Sequence, residues 1–387
     1  MQVSVDRILT THVGSLPRNS VLSDLLIRQE RGEEVDSARL KAETRQAVVD
    51  VVRQQVDAGI DVINNGEQPR VGFQTYVPRR MRGFDGVSNR ATPLDYLEFP
   101  DFAEMAARRF PNRSKSRSAP KAITTVSYDD LSDAESEIDA FFDASVCHTD
   151  QFVEGFMTAA SPGIIATTMI NDYYDTHENY VFALAREMRK EYRLIIDRGL
   201  ILQLDAPDLA MERTIMFQSS SQREFLSVVE MHVAAINYAL EGLPKDRIRL
   251  HCCWGNWEGP HLHDVPLVEI FPLLKQANVG ALAIEFANPR HQHEIRRLGE
   301  LKFPDDKVLI PGVIDSTTNY IEHPQLVADR ICDVVNAIGE RSRIIAGVDC
   351  GFGTFTGYEF VAGSIVWAKL RALSDGAKLA TKLLWGR

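Results

Sequence analysis

The stretch Arg249-Leu-His-Cys-Cys-Trp-Gly-Asn-Trp-Glu-Gly-Pro260 decides the fold. As a strand it turns His251 and Cys253 to one face and Leu250 and Cys252 to the other, because strand side chains alternate. An imidazole and a thiolate side by side, just ahead of a Gly-Asn-Trp turn, make half of a tetrahedral zinc site. A core histidine beside a buried thiol fits the same residues. The other half of the site must therefore come from elsewhere in the chain.

Working outward, strand-like and helix-like segments alternate almost to the end. The strand candidates are 8–13, 61–65, 122–127, 164–170, 201–204, 248–253, 281–286, 308–313 and 344–348. Amphipathic helical stretches lie between most of them, for example 38–58, 178–197, 223–240 and 324–338. Several of these end in glycine before the next strand, as in Ala337-Ile-Gly339, which is helix-end punctuation. Alternation of this kind over one chain implies a parallel sheet, and we expect an α/β (β/α)8 TIM barrel built as a single domain, 1–387. Nine candidates are one too many for eight strands. Segment 122–127 follows a proline and a loop-like region and is assigned to the periphery.

The bulk numbers agree with a globular protein. Of 387 residues, 44% are hydrophobic and 25% charged. No apolar run is long enough to span a membrane, and the first residues lack the apolar core of a signal peptide. Five cysteines, an odd number in a long chain, favour free thiols in a reducing cytoplasm. A net charge of −11 argues against nucleic-acid binding. One segment departs from this balance: residues 70–121 carry eleven Lys and Arg against five Asp and Glu. We expect 68–121 to be a basic, loop-rich insertion after the second strand. Its arginines either are solvated or meet an anionic group on a substrate.

Barrel chemistry sits at the C-terminal ends of the strands. Those ends carry His12 to Ser15, Asn65-Gly-Glu67, Asn171-Asp-Tyr173, Gln203-Leu-Asp205, His251-Cys-Cys253, Glu285, Asp315-Ser-Thr317 and Asp349-Cys350. In Ala281-Leu-Ala-Ile-Glu-Phe286 the bulky apolar residues share one face and Glu285 joins Ala283 on the other. Asp205 separates from the leucines around it in the same way. Inward carboxylates are costly unless paired or bound to metal. His251, Cys253, Glu285 and Cys350 then offer N, S, O and S donors to one zinc ion, while Cys252 faces outward.

Thr10-Thr-His-Val-Gly-Ser-Leu-Pro-Arg18, Asn65-Gly-Glu67, Gln203-Leu-Asp205, His251-x-Cys253, Glu285 and Asp349-Cys-Gly351 together resemble the catalytic half of cobalamin-independent methionine synthase. The resemblance runs over nearly the whole chain, with the motifs in the family's order. Three phrases are similar to the short single-barrel branch that includes epoxyalkane:coenzyme M transferase. They are the continuation Trp254-Gly-Asn-Trp257, Pro311-Gly-Val-Ile-Asp-Ser-Thr-Thr-Asn319 and Gly347-Val-Asp-Cys-Gly-Phe-Gly353. The resemblance implies a barrel with one zinc held by His251, Cys253, Glu285 and Cys350.

It also implies activation of a substrate thiol for methyl or alkyl transfer. Homocysteine is the family acceptor, and the alkyl donor is a methyl-folate, another methyl donor or an epoxide. Glu285, the hardest ligand, would be the one an incoming thiol displaces. Ser15, Glu67 and Asp205 match the family's holders of the amino-acid thiol. Asp315 and Tyr173 complete the expected substrate residues, Tyr173 or Tyr174 as a stacking platform. Thr317 stands where the family has a proton-handling histidine, and a threonine cannot do acid–base work near pH 7. His12, His261 and His263 are the alternatives, with His12 taken as catalytic beside Glu285 and Asp205. Epoxide opening by a sulfonate-bearing thiol, a zinc hydrolase and a structural-zinc binding protein remain open alternatives, as does a homo-oligomer.

Overall fold

The computed structural model describes residues 1–110, 114 and 118–386. Ten strands lie among them: β1 (Leu9–Thr10), β2 (Val62–Ile63), β3 (Arg82–Asp85), β4 (Lys121–Ser127), β5 (Glu154–Ala160), β6 (Ile201–Asp205), β7 (Ile248–Cys252), β8 (Ala281–Glu285), β9 (Val308–Gly312) and β10 (Ile345–Ala346). Strands β2-β5-β6-β7-β8-β9 pair in parallel in that order, and β1 pairs in parallel with β10. Parallel bridges from Thr11 to Val62, Leu309 to Ile344 and Gly312 to Gly347 join the two sheets on both sides. The fold is thus mixed α/β around a curled, TIM-like parallel sheet.

Side-chain parity places the core. Leu250, Leu282, Ile284 and Phe286 belong to the main apolar cluster shared with the helices. Leu9, Ala281, Ala283, Val308, Ile310 and Ile345 form a separate cluster of their own. Helices form where sequence patterns demand them: Gln222–Ala239 opens on a Ser221–Glu224 capping box, and Pro324–Ile338 closes at Gly339 in the left-handed conformation, φ 82°.

One strand assignment is corrected. Residues 162–168 are a fully buried helix, Pro162–Thr168, and the strand is β5 just before it. Ser161 accepts from the Ile164 N–H and Pro162 occupies the first turn, which is a helix start. A short, fully buried helix has no solvent-facing polar side to betray its period, so 164–170 reads as a strand. The end of the mistaken strand, 171–173, is consequently not a sheet end.

Segment 122–127 is peripheral as expected, because β4 pairs antiparallel with β3 outside the parallel sheet. The stretch 68–121 is more ordered than its composition implies, holding β3 and the helices Val77–Arg80, Leu94–Glu98 and Pro100–Arg109. Arg113, Lys115 and Arg117 lie outside the described residues.

Buried ion pairs tie this stretch to the sheet. Arg70 Nε lies 2.9 Å from Glu137, Arg80 also reaches Glu137, and Asn65 Nδ2 donates to Glu137 at 2.8 Å. Burial alone would raise the Glu137 carboxyl, yet Arg70 and Arg80, helped by Asn65, hold it down to about 2. A depressed carboxyl stabilises the fold above its ordinary pKa, and that contribution is lost as pH falls from 4.5 toward 2. Glu137→Gln should lower unfolding free energy by about 3 kcal/mol at pH 7, because two guanidiniums are left short of their counter-charge. Urea denaturation checks this, and the deficit should shrink on acidification.

Candidate metal and thiol site

The interior polar groups descend as a chain to His251. Buried Arg249 stacks 3.7 Å over the Phe156 ring and donates from Nε to Gln203 Oε1 at 2.8 Å. Gln203 Nε2 donates to Asp205 Oδ1 at 2.7 Å, and the same oxygen lies 3.0 Å from His251 Nδ1. Asp205 therefore claims Nδ1, which leaves Nε2 of His251 as the free donor. That nitrogen is buried and has no hydrogen-bond partner among the described residues.

His251, Cys253 and Cys350 each bring a ligand atom to one place, all within 4.8 Å of one another. The two sulfurs are 3.9 Å apart. The thiol of Cys350 donates to Cys253, and with His251 alongside, Cys253 is held well below the ordinary thiol range despite burial. Cys350 is pushed up by that same bond and by burial. Burial opposes a charge on His251, but Cys253 and Asp205 outweigh it and raise the ring to about 10. One imidazole and two thiols with a buried unpartnered nitrogen fit a soft divalent metal such as zinc.

Glu285, the fourth expected donor, stands beside this cluster rather than in it. Its Oε1 accepts from the Trp254 N–H and its Oε2 from Asn288 Nδ2, both at 2.6 Å. Burial, then Cys253 and Asp349, raise it to about 8 against the pull of His291. Asp349 pins the loop after β8, accepting from the backbone N–H groups of Phe286, Ala287 and Asn288 at 2.8–2.9 Å.

The cluster opens into a cavity of about 160 Å³ lined by Ser15, Glu67, Asp205, His251, Cys253 and Cys350. Glu67 has a left-handed backbone, φ 53°, and is wholly buried. Its Oε1 accepts from Thr158 at 2.8 Å, while the buried Oε2 has no hydrogen-bond partner among the described residues. Arg70 does not pair with it, being committed to Glu137 and Thr158. Burial, and to a lesser degree Asp205, raise Glu67 to about 7 against Arg70, Thr158 and Arg18. Ser15 Oγ touches the loop that carries Cys350: a Cβ on Gly351 would lie 2.0 Å from it.

Three expected residues fall elsewhere. His12 is buried but does not line the cavity. Its Nδ1 accepts from the Gly14 N–H at 3.1 Å, so Nε2 carries the proton toward Gln55 Oε1 at 2.7 Å. Burial, with Arg249, lowers the ring to about 3, so it stays neutral and holds the Gly14–Ser15 turn instead of exchanging protons. Tyr173 is 52% exposed and bonds Thr125, because the segment it follows is a helix and not a barrel strand. Asp315 lines an adjoining chamber of about 140 Å³ with Glu285 and Thr317, and its oxygens accept from Thr317 and Thr318. His261 is tied to Asp264 and Trp257, and His263 to Glu98.

The cavity walls were not expected. Asn256 donates to Gly351 O at 2.6 Å and to Thr354, and accepts from Ser316, so it joins three strand-end loops. Phe73, Gln74, Arg90 and Tyr96 from the 68–121 stretch, with Trp257, complete the wall. Tyr96 meets Trp257 edge-on at 4.9 Å. Only Gly255-Asn-Trp257 continuing the zinc-like motif pointed this way in sequence.

This arrangement is that of a TIM-like α/β protein with soft donors gathered at sheet ends. More narrowly, the chain belongs to the cobalamin-independent synthase family, whose catalytic-domain profile matches residues 107–369. A methionine synthase of Saccharolobus islandicus is 24% identical over 379 residues, covering 97% of this chain and 95% of that protein. One from Thermococcus kodakarensis is 26% identical over 354 residues, covering 88% and 86%. In fold, the chain is similar to a B12-independent methionine synthase from Shewanella sp. W3-18-1 solved with selenomethionine, TM-score 0.70 at 20% identity, covering 98% of this chain and 100% of that one. A putative B12-independent methionine synthase from Listeria monocytogenes gives 0.65 at 19%, covering 96% and 98%.

Gly14 tests how tightly the turn is built. At φ 129°, a Cβ there would lie 2.6 Å from Thr158 and 2.7 Å from Glu67 Oε1. Gly14→Ala should cost about 2 kcal/mol through overpacking alone, and more from the backbone. Equal urea midpoints for the two proteins would contradict this packing.

Proposed function

We propose that this chain is a zinc-dependent S-methyltransferase whose acceptor is homocysteine or a closely related amino-acid thiol. The observation that carries the reading is the buried His251, Cys253 and Cys350 cluster, with Nε2 unpartnered, opening onto Ser15, Glu67 and Asp205. The methionine synthases among its relatives point to the same acceptor. His251, Cys253 and Cys350 would hold the metal, with Glu285 as the fourth and most exchangeable ligand. A zinc ion held by these residues would lower the pKa of an incoming thiol and keep it nucleophilic near neutral pH.

The protein's own contribution is binding and orientation. Asp205 fixes the His251 ring, and with Glu67 it presents two carboxylates to a substrate ammonium. The unpartnered Oε2 of Glu67 accepts one of its protons. Aromatic walls from Tyr96, Trp257 and Phe73 exclude water and bound the methyl donor. We also propose that the curled sheet is a complete (β/α)8 barrel within one domain, 1–387, with 68–121 inserted after β2. No observation favours epoxide opening, hydrolysis or a merely structural zinc. The arginines Arg70, Arg80, Arg90 and Arg109 are each paired with a glutamate, and the donor cluster opens on a cavity.

Cys253→Ser and Cys350→Ser should each lose stoichiometric zinc and methyl transfer to homocysteine while keeping the native circular dichroism. Full zinc retention in both variants would overturn the ligand set. A raised carboxyl is protonated below its pKa, so Glu67 becomes the ammonium's counter-charge only as pH rises through about 7. Homocysteine affinity should therefore increase across that pH, and Glu67→Gln should flatten the increase. Calorimetric titration from pH 6 to 8 measures both.

A further inference from the structure

The arginine-rich stretch is only partly absorbed by the site above. Of its described basic residues, Arg90 alone lines the cavity, and it is paired with Glu212. Arg70, Arg79 and Arg80 instead line a separate cleft of about 580 Å³. The helix Ser37–Asp57 adds Lys41 and Arg45 to that cleft, and the helix Ser132–Ser145 adds Ser132, Asp133, Ser136 and Glu137. Five cations thus meet two carboxylates in a protein whose net charge is −11.

The cations are not equivalent. Arg70 and Arg80 form the floor, 4.3 and 4.6 Å from the centre of the Tyr76 ring, and both are neutralised by Glu137, Arg80 also by Glu191. Lys41, Arg45 and Arg79 form the rim. Their side chains make no hydrogen bond or ion pair among the described residues. Burial, and the neighbouring Arg80, make the Arg79 charge less favourable despite Asp133 and Glu30, so its pKa falls. All three are exposed at the mouth of the cleft, and like charges lining one concave surface concentrate anions. The Ser132 and Ser136 hydroxyls beside them, with Thr44, supply neutral donors.

We propose that this cleft binds a phosphate-bearing small molecule, its phosphoryl oxygens seated among Lys41, Arg45 and Arg79 and its remainder in the hydroxyl-lined part. Three separate unpartnered cations suit a dianion better than a lone carboxylate, which one guanidinium satisfies bidentately. The volume exceeds that of phosphate alone and lies in the range of small-molecule sites. The cleft does not share the metal donors, so the site stands apart from the proposed methyl transfer.

The test is a titration of the full-length protein with inorganic phosphate, followed by ³¹P line broadening at low ionic strength against a chloride control. Saturable binding is expected, weakened about tenfold or more in the combined Lys41→Ala, Arg45→Ala, Arg79→Ala variant, with zinc content and melting temperature unchanged. Arg79→Gln alone should weaken it about threefold, which covers the case of a poorly folded triple variant. Equal affinity in wild-type and variant proteins, or no saturable binding, would overturn the proposal.

Discussion

The hydrogen bond between Asp205 and His251 Nδ1 is the constraint on which the site depends. It removes one of two nitrogens from play and thereby leaves Nε2 as the only imidazole donor. The bond is itself held from below, since Gln203 shares the same Asp205 oxygen and Arg249 grips Gln203. Arg249 also donates to Thr11 and to the His12 carbonyl, so β7 is locked to the opposite side of the sheet through one buried side chain. Burial lowers the guanidinium to about 9, and the network repays that cost by fixing Gln203, Asp205 and Nδ1 of His251.

From that anchor the loops converge in order. Asp349 takes three consecutive backbone N–H groups after β8 and so sets where Glu285 emerges. Asn256 holds Gly351 and Thr354, and therefore the loop bearing Cys350, against the end of β7. Arg18 reaches both the Gly353 and the Glu67 carbonyls, tying the first turn to the last. Soft donors on separate strands meet because backbone groups, more than side-chain contacts, are pinned by buried carboxylate, amide and guanidinium heads.

Strand parity made much of this legible in sequence. His251 and Cys253 share a face, Cys252 goes to the apolar core, and Glu285 sides with Ala283, all from alternation alone. Parity fails where burial hides the polar face, which is why 164–170 reads as a strand and Tyr173 as a site residue. It also cannot see distance: Glu285 points the right way yet is held by Trp254 and Asn288 outside the sulfur cluster. His12 and Asp315 sit in the right motifs, but their polar atoms are spent elsewhere, those of His12 on Gly14 and Gln55 and those of Asp315 within its own turn. The aromatic wall from 68–121 depends on long-range packing of Tyr96 on Trp257, which no local pattern encodes.

We propose that His251, Cys253 and Cys350 hold a zinc ion to which the substrate's sulfur would bind. Zinc-edge X-ray absorption of the purified protein, before and after addition of homocysteine, addresses it most directly. Two sulfur scatterers are expected in the resting site and a third on adding homocysteine, with loss of an oxygen scatterer. An unchanged first shell on saturation with homocysteine, or a resting site without sulfur, would contradict it.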